Sequence, residues 1–311
     1  MFVAAVSLGV AAPDAARKPV VIAPGVTVGG VRVGRMMSEA ARTRVEAAFG
    51  RPLRLAFRDK QWRISPRYLG ASAGVDAAVA EALRAAPRTR VKLEVSAARP
   101  RIRRYVARLD HLFSRDAVDA AVIGVANGRP VFRQAQAGLA VEREGMTNAI
   151  MRAVRRNDRK TATELIVREV QPTVTPATVG SIVIIFRGSN KLALFDGPSL
   201  VRTFQVATGS SQYPTPLGNY SIATKQLNPW WIPPPDSDWA QGKEPIPPGP
   251  GNPLGTRWMG TTAPLVGIHG TPDAASIGYS ASHGCIRMRV PEAEWLFTRV
   301  NVGTPVLIVP T

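Results

Sequence analysis

Ser282-His283-Gly284-Cys285-Ile286-Arg287 holds the only cysteine of the chain beside one of its three histidines. A thiol attacks only as its thiolate, so a nucleophilic Cys285 needs a base or a positive group within hydrogen-bond reach. His269 is the better base. It lies sixteen positions upstream in Pro264-Leu265-Val266-Gly267-Ile268-His269-Gly270-Thr271, where an apolar run reaches a glycine as a short buried strand does. A ring at the end of such a strand is held beside another segment of the same sheet, which makes this part of the chain β.

The neighbours of Cys285 have mechanical readings. Gly284 lets a substrate carbonyl approach the backbone, and N–H groups near Cys285 face a developing oxyanion, with Ser282 and His283 in support. Strand alternation puts Arg287 on the face of Cys285, where it clamps a substrate carboxylate or serves only as an ion-pair partner. His283 alternates away from the thiol. The tautomer of His269 is fixed either by Asp273 or by a backbone carbonyl such as that of Gly270. Zinc ligation by His269, His283 and Cys285 is a further reading, but no common zinc spacing is matched and no fourth ligand stands out.

These residues resemble a known signature. His269-Gly270-Thr271, Ser276-Ile277-Gly278 and Ser282 to Arg287 are similar to the active-site motif of the L,D-transpeptidase (YkuD-type) family, and Pro248-Gly249-Pro250-Gly251-Asn252-Pro253-Leu254-Gly255 matches as well. The resemblance covers roughly residues 180 to 310. It implies Cys285 as nucleophile, His269 as base and the Gly270 carbonyl as its orienting partner, with no cofactor and no metal. It further implies a peptidoglycan stem peptide as donor, a thioester on Cys285 with release of D-alanine, and an amine of a second stem as acceptor. Carbapenem-type β-lactams would acylate the same thiol. Water in place of the amine gives an L,D-carboxypeptidase or another cysteine hydrolase, and a non-catalytic wall-binding protein is the remaining alternative.

At 311 residues and 45% hydrophobic content the chain has material for two or three globular domains and is not disordered. Its net charge of +18 is uneven: residues 180 to 311 carry nine Lys/Arg against seven Asp/Glu, so nearly all the excess lies before them. Such a surface suits a polyanion such as a nucleic acid, an anionic membrane or an acidic wall polymer; a GC-rich genome also inflates Arg. No nucleic-acid motif accompanies the charge, so that partner is not expected. One cysteine excludes an internal disulfide. Phe2 to Ala12 is apolar but too short to span a bilayer; it reads as the tail of a signal peptide or of a membrane anchor whose start lies outside this chain. An exported, cell-wall-associated protein is the expectation.

Four segments follow. Residues 1–24 are leader remnant and linker. Residues 25–173 read as a duplicated α+β module, similar to peptidoglycan-binding domains that accompany such catalytic domains, or as a spacer. Ser38 caps a helix with Ala41, Val45 and Phe49 on one face; Leu53 to Ile64 forms a hairpin; Val75, Val79 and Leu83 mark a second helix. Helix, hairpin and helix then recur through Ile102 to Phe113, an Asn127-Gly128 turn and Met146 to Val154, with Trp62 and Phe132, like Leu69 and Leu139, seventy positions apart. Residues 174–180 are a Pro/Thr linker. Residues 181–311 form an all-β, sandwich or barrel-like catalytic domain with a short helix near Glu292 to Val300. Within it, residues 228–258 are rich in Pro and Gly and carry Trp230, Trp231, Trp239 and Trp258, which reads as a lid over the thiol. Trp230 and Trp231, with Arg287, Ser276 and Gly278, are the substrate-binding candidates.

Overall fold

The computed structural model describes residues 20–157, 159–235 and 237–311; the apolar run Phe2 to Ala12 lies outside them. Contacts divide the chain into two units, one comprising the residues up to Arg115 with Leu139–Arg168, the other Asp116–Gly138 with Glu169–Thr311. Among the described residues no helix is long and apolar enough to cross a membrane.

In the first unit the i, i+4, i+8 spacing of Ala41, Val45 and Phe49 forms α1 (Ser38–Gly50), with Ala41 and Val45 buried. Ser38 is its first residue and not its cap, because Met37 already has the extended backbone of the cap position and no side chain bonds the helix end. A hairpin of β1 (Leu53–Phe57) and β2 (Lys60–Ile64) follows, then α2 (Val75–Arg84) and α3 (Arg99–Phe113). After α3 come a second hairpin, β3 (Ala121–Ala126) with β4 (Arg129–Arg133), and α4 (Arg143–Arg155). Helix, hairpin, helix thus occurs twice. Asn127 and Gly128 both take positive φ (51° and 71°), as a two-residue hairpin turn requires.

Neither hairpin packs chiefly on the two helices that flank it in sequence. Leu53 and Leu55 of β1 are buried among Ile102, Val106 and Leu109 of α3 and Met146 and Ile150 of α4. Val122, Val125 and Phe132 of the second hairpin pack on Ile182, Ile184 and Phe195. A two-stranded hairpin is marginal alone, so it goes with whichever body covers its apolar face. Hence residues 116–138 belong to the second unit, although they lie inside the span 25–173 read from the sequence as a duplicated α+β module. The expected linker is also tied down: the Val174 N–H donates to the Asp119 carboxylate (2.8 Å) and its carbonyl accepts from Ala120 (2.9 Å). Order begins before residue 25, since Ile22 is fully buried and bonded to Arg35 and Met36.

The second unit is built on one mixed sheet. Its strands are β5 (Ser181–Phe186), β6 (Lys191–Asp196), β7 (Ser199–Gln205), β8 (Gly218–Leu227), β9 (Arg257–Thr261), β10 (Gly267–Thr271), β11 (Ile286–Arg289) and β12 (Pro305–Val309). Their spatial order is β7-β6-β5-β12-β8-β9-β10-β11, with β5–β12 and β10–β11 parallel. Beyond β7, Ala207 exchanges two 2.9 Å backbone bonds with Arg287 of the opposite edge, so the sheet curls into a nearly closed barrel. Period-two alternation sends Val183 and Ile185 inward against Leu192, Phe204, Ile268 and Met288, and Ile182 and Ile184 outward beneath the β3–β4 hairpin. Helix α5 (Val290–Phe297) adds Ala293 and Leu296 to the interior; Pro291 in its first turn sets its start earlier than the expected Glu292.

Candidate active site

Parallel pairing of β10 with β11 sets His269 opposite Arg287 and Ile268 opposite Ile286. His269 stands at the centre of its strand, not its end, and is 4% exposed. Its Nδ1 lies 2.6 Å from the Gly270 carbonyl. A carbonyl only accepts, so Nδ1 carries the hydrogen and Nε2 keeps its lone pair. Of the two orienting groups read from the sequence, Gly270 is therefore the one in contact; Asp273 pairs with Arg287 at 3.6 Å. Burial, reinforced by the positive Arg287 and opposed by the Gly270 bond, lowers the His269 pKa to about 4. Trp258 of β9 flanks the imidazole, with ring centroids 5.8 Å apart, and lies where a Gly267 side chain would be: a Cβ there would meet the indole at 2.3 Å. Trp258 thus belongs to a strand and positions the base, although its place in the sequence put it in the lid.

Cys285 rides on the turn that leads into β11. The Ser282 hydroxyl donates to the Cys285 carbonyl (2.6 Å) and accepts from the Gly284 N–H (3.1 Å), while the Thr215 hydroxyl donates to the Gly284 carbonyl (2.8 Å). Gly284 has φ +109°, which other residues rarely adopt. The glycine is needed for this turn, and its N–H donates to Ser282. The Cys285 N–H has no protein acceptor among the described residues. The thiol is half-buried and donates to the Leu265 carbonyl at 3.5 Å; Leu265 itself sits at φ +60°. Burial raises the thiol pKa, against the opposing pull of the Gly267 N–H and Arg287. No hydrogen bond joins Cys285 to His269 in this conformation, but both border one cleft of about 840 Å³ with Arg287, Ser282 and His283.

His283 borders the cleft and has a partner that the sequence did not disclose. Its ring stacks on Trp239 (centroids 4.0 Å, planes 16° apart) and leans on Tyr213 at 5.0 Å. The Tyr213 hydroxyl donates to the Asp238 carboxylate at 2.9 Å. Burial, then Arg287 and Lys243, lowers the His283 pKa. Trp239 and Asp238 belong to the Pro/Gly segment, which is thereby latched across the cleft. At its other end the buried Asn252 donates to the carbonyls of Pro229 (2.8 Å), Ile246 and Pro247 (3.2 Å each) and accepts from the Leu254 N–H (2.8 Å). Gly255 lies flat on the base strand: a Cβ there would be 3.1 Å from the Gly270 backbone. The expected lid is therefore a tied strap. Trp230, 56% exposed, and Trp231 border the cleft. Ser276 and Gly278 are not among its lining residues: the Ser276 hydroxyl donates to the Asp273 carbonyl (2.7 Å), and Gly278, at φ +97°, donates its N–H to the Val206 carbonyl (3.0 Å), so both take part in the turn.

Replacing Asn252 by Ala leaves the Pro229 and Pro247 carbonyls without their side-chain donor, while Ile246 keeps its bond from the Trp231 N–H, and destabilises the strap locally by about 2–3 kcal/mol. Amide exchange at Trp231, Ile246 and Leu254 should quicken by roughly 30- to 150-fold; unchanged exchange would show that Asn252 does not hold the strap.

A family model described as the L,D-transpeptidase catalytic domain, YkuD, matches residues 180–308. "Putative L,D-transpeptidase YqjB" of Bacillus subtilis (strain 168) is 38% identical over 132 residues, 40% of this chain and 69% of that protein. The chain belongs to the L,D-transpeptidase family. "Putative L,D-transpeptidase YkuD" of the same organism is 30% identical over 133 residues, 43% of this chain and 68% of its own length. Among solved structures, an L,D-transpeptidase from Mycobacterium smegmatis aligns with 63% of this chain and 98% of its own at 17% identity and a TM-score of 0.37. This L,D-transpeptidase is an enzyme whose matched span holds the cleft, Cys285 and His269. Among its described residues no three His, Cys, Asp or Glu side chains converge as a zinc site would require.

Proposed function

We infer that this L,D-transpeptidase is a cysteine acyltransferase that cross-links peptidoglycan stem peptides outside the cytoplasm. One observation carries the reading: Cys285 and a neutral His269, its Nδ1 fixed on Gly270 and its Nε2 unprotonated, border the same cleft. In the first step Sγ bonds to the carbonyl carbon of the third stem residue while Nε2 takes the thiol proton. The proton passes to the leaving nitrogen as the peptide bond breaks, and D-alanine departs as the amine. In the second step an acceptor amine attacks the thioester, gives a proton to His269 and restores the thiol. The Cys285 N–H, free of protein acceptors, supports the oxyanion. Arg287 supports a substrate carboxylate, held in place by Asp273. Trp230 and Trp231 offer apolar walls to the stem.

A cleft of about 840 Å³ lies within the range of small-ligand sites and can take a donor stem beside Cys285. Intact-mass spectrometry after carbapenem exposure should show one adduct, absent from Cys285→Ala. Incubation with a tetrapeptide and an acceptor amine should yield the amide, and free tripeptide as sole product would replace transfer with L,D-carboxypeptidase action.

A further inference from the structure

Helix α3 carries two basic ridges of different character. At 3.6 residues per turn Arg99 and Arg103 share a ridge with Asp110, and all three charges are matched: both arginines bond Glu144 (2.8 and 2.5 Å) and Asp110 bonds Arg143 (2.7 Å). Arg101, Arg104, Arg108 and His111 fall within roughly 80° of arc on the face turned away from the buried Ile102, Val106 and Leu109. All four are exposed, and among the described residues none has an acidic partner. Arg108 donates to the neutral Tyr68 hydroxyl, and the Arg101 stem lies over Gly70. Tyr68, 51% exposed, meets Tyr105 edge-on at 6.1 Å, and Tyr105 accepts from the Trp62 indole at 2.7 Å, so the ridge has a fixed aromatic border.

Like charges at i, i+3 and i+7 oppose helix formation. Here α3 is held by its apolar face, and the charges of the row have no acidic partner among the described residues. What it offers is three guanidinium forks about 4.5 and 6 Å apart along the axis, each able to take two oxygens of one anion. We propose that this ridge binds a linear phosphodiester polymer of the cell wall. A flexible chain with one phosphate every few bonds can turn successive charges toward one row, whereas a stiff uronic glycan presents them on alternating sides. The choice of a wall polymer over a nucleic acid rests on the reading of the enzyme as a peptidoglycan transpeptidase. Binding there keeps the enzyme at the wall that carries its substrate between turnovers.

The test is anisotropy of a labelled poly(glycerol phosphate) with the full chain across a salt series. Arg101→Gln/Arg104→Gln/Arg108→Gln should weaken binding at least about tenfold and lower the salt slope by about 2. Arg152→Gln/Arg155→Gln/Arg156→Gln removes the same charge from exposed positions in the last turn and C-cap of α4 and should change binding by less than about threefold. Equal loss in both variants, or none in the first, overturns the ridge as a site. Tighter binding of polygalacturonate overturns the phosphodiester, and tighter binding of single-stranded DNA replaces the wall polymer with a nucleic acid. Carbapenem acylation of Cys285 should be equal in wild type and the ridge variant. Failure of acylation in wild type, with ridge binding intact, would remove the transpeptidase reading and leave the site.

Discussion

In His269→Ala the rate of Cys285 acylation by a carbapenem falls by about 10³ at pH 7, and the shape of its pH profile changes with it. In the wild type the imidazole is protonated only below about pH 4, so the base form is lost on that acid side and fully present above it. The thiol, raised by burial above its ordinary range, stays protonated through neutrality. The resting pair is therefore thiol and neutral imidazole, not thiolate and imidazolium, and proton transfer to Nε2 has to accompany attack. That predicts a plateau from about pH 5 until the thiol begins to ionise. Without the ring only the spontaneously ionised thiol reacts, and the rate should climb about tenfold per pH unit up to the thiol pKa. A variant that kept the plateau would transfer the role of base to another group. Cleft entry is unaffected in this reading, so noncovalent binding should change little.

Much of this site is legible in the sequence because its requirements are local. Cys285, His269 and the Gly270 carbonyl lie in two short segments whose residue types state their chemistry, and apolar periodicity disclosed α1 to α4 for the same reason. What stayed hidden depends on where side chains find cover. Tyr213 and Asp238 are twenty-five positions apart in segments with no common pattern, yet together they latch the strap beside His283. Trp258 looked like a lid residue because the Pro/Gly-rich stretch runs up to Gly255, whereas its indole fills the space left by Gly267. The hairpin at residues 121–133 was found as a hairpin, but its allegiance to the catalytic sheet is decided by Ile182 and Ile184, some fifty residues on. Ser276 and Gly278 matched the family motif and were read as substrate contacts. In the structure both lie in a turn whose backbone takes φ +97° at Gly278, which the motif alone did not disclose.

Gly284→Ala should lower kcat/KM by about 100-fold while the fold survives, and the reason is torsional. A Cβ at this position would meet nothing nearer than the Tyr213 carbonyl at 3.9 Å, so no clash forbids it. The cost lies in holding φ +109° with a side chain present, about 1–3 kcal/mol. The turn relieves that strain by rotating, and three bonds resist: Ser282 to the Gly284 N–H, Ser282 to the Cys285 carbonyl, and Thr215 to the Gly284 carbonyl. Any relaxation that breaks them moves Sγ relative to Nε2 of His269, and displacement by about 1 Å at a reacting centre is enough for a 100-fold loss. Gly278→Ala separates strain from position. It has a comparable φ and a Cβ that would sit 3.6 Å from Gln205, but it lies off the cleft. It should cost similar stability and leave kcat/KM within about threefold. Equal kinetic losses in the two variants would mean that the Gly284 turn matters to the barrel as a whole and not to the placement of the thiol.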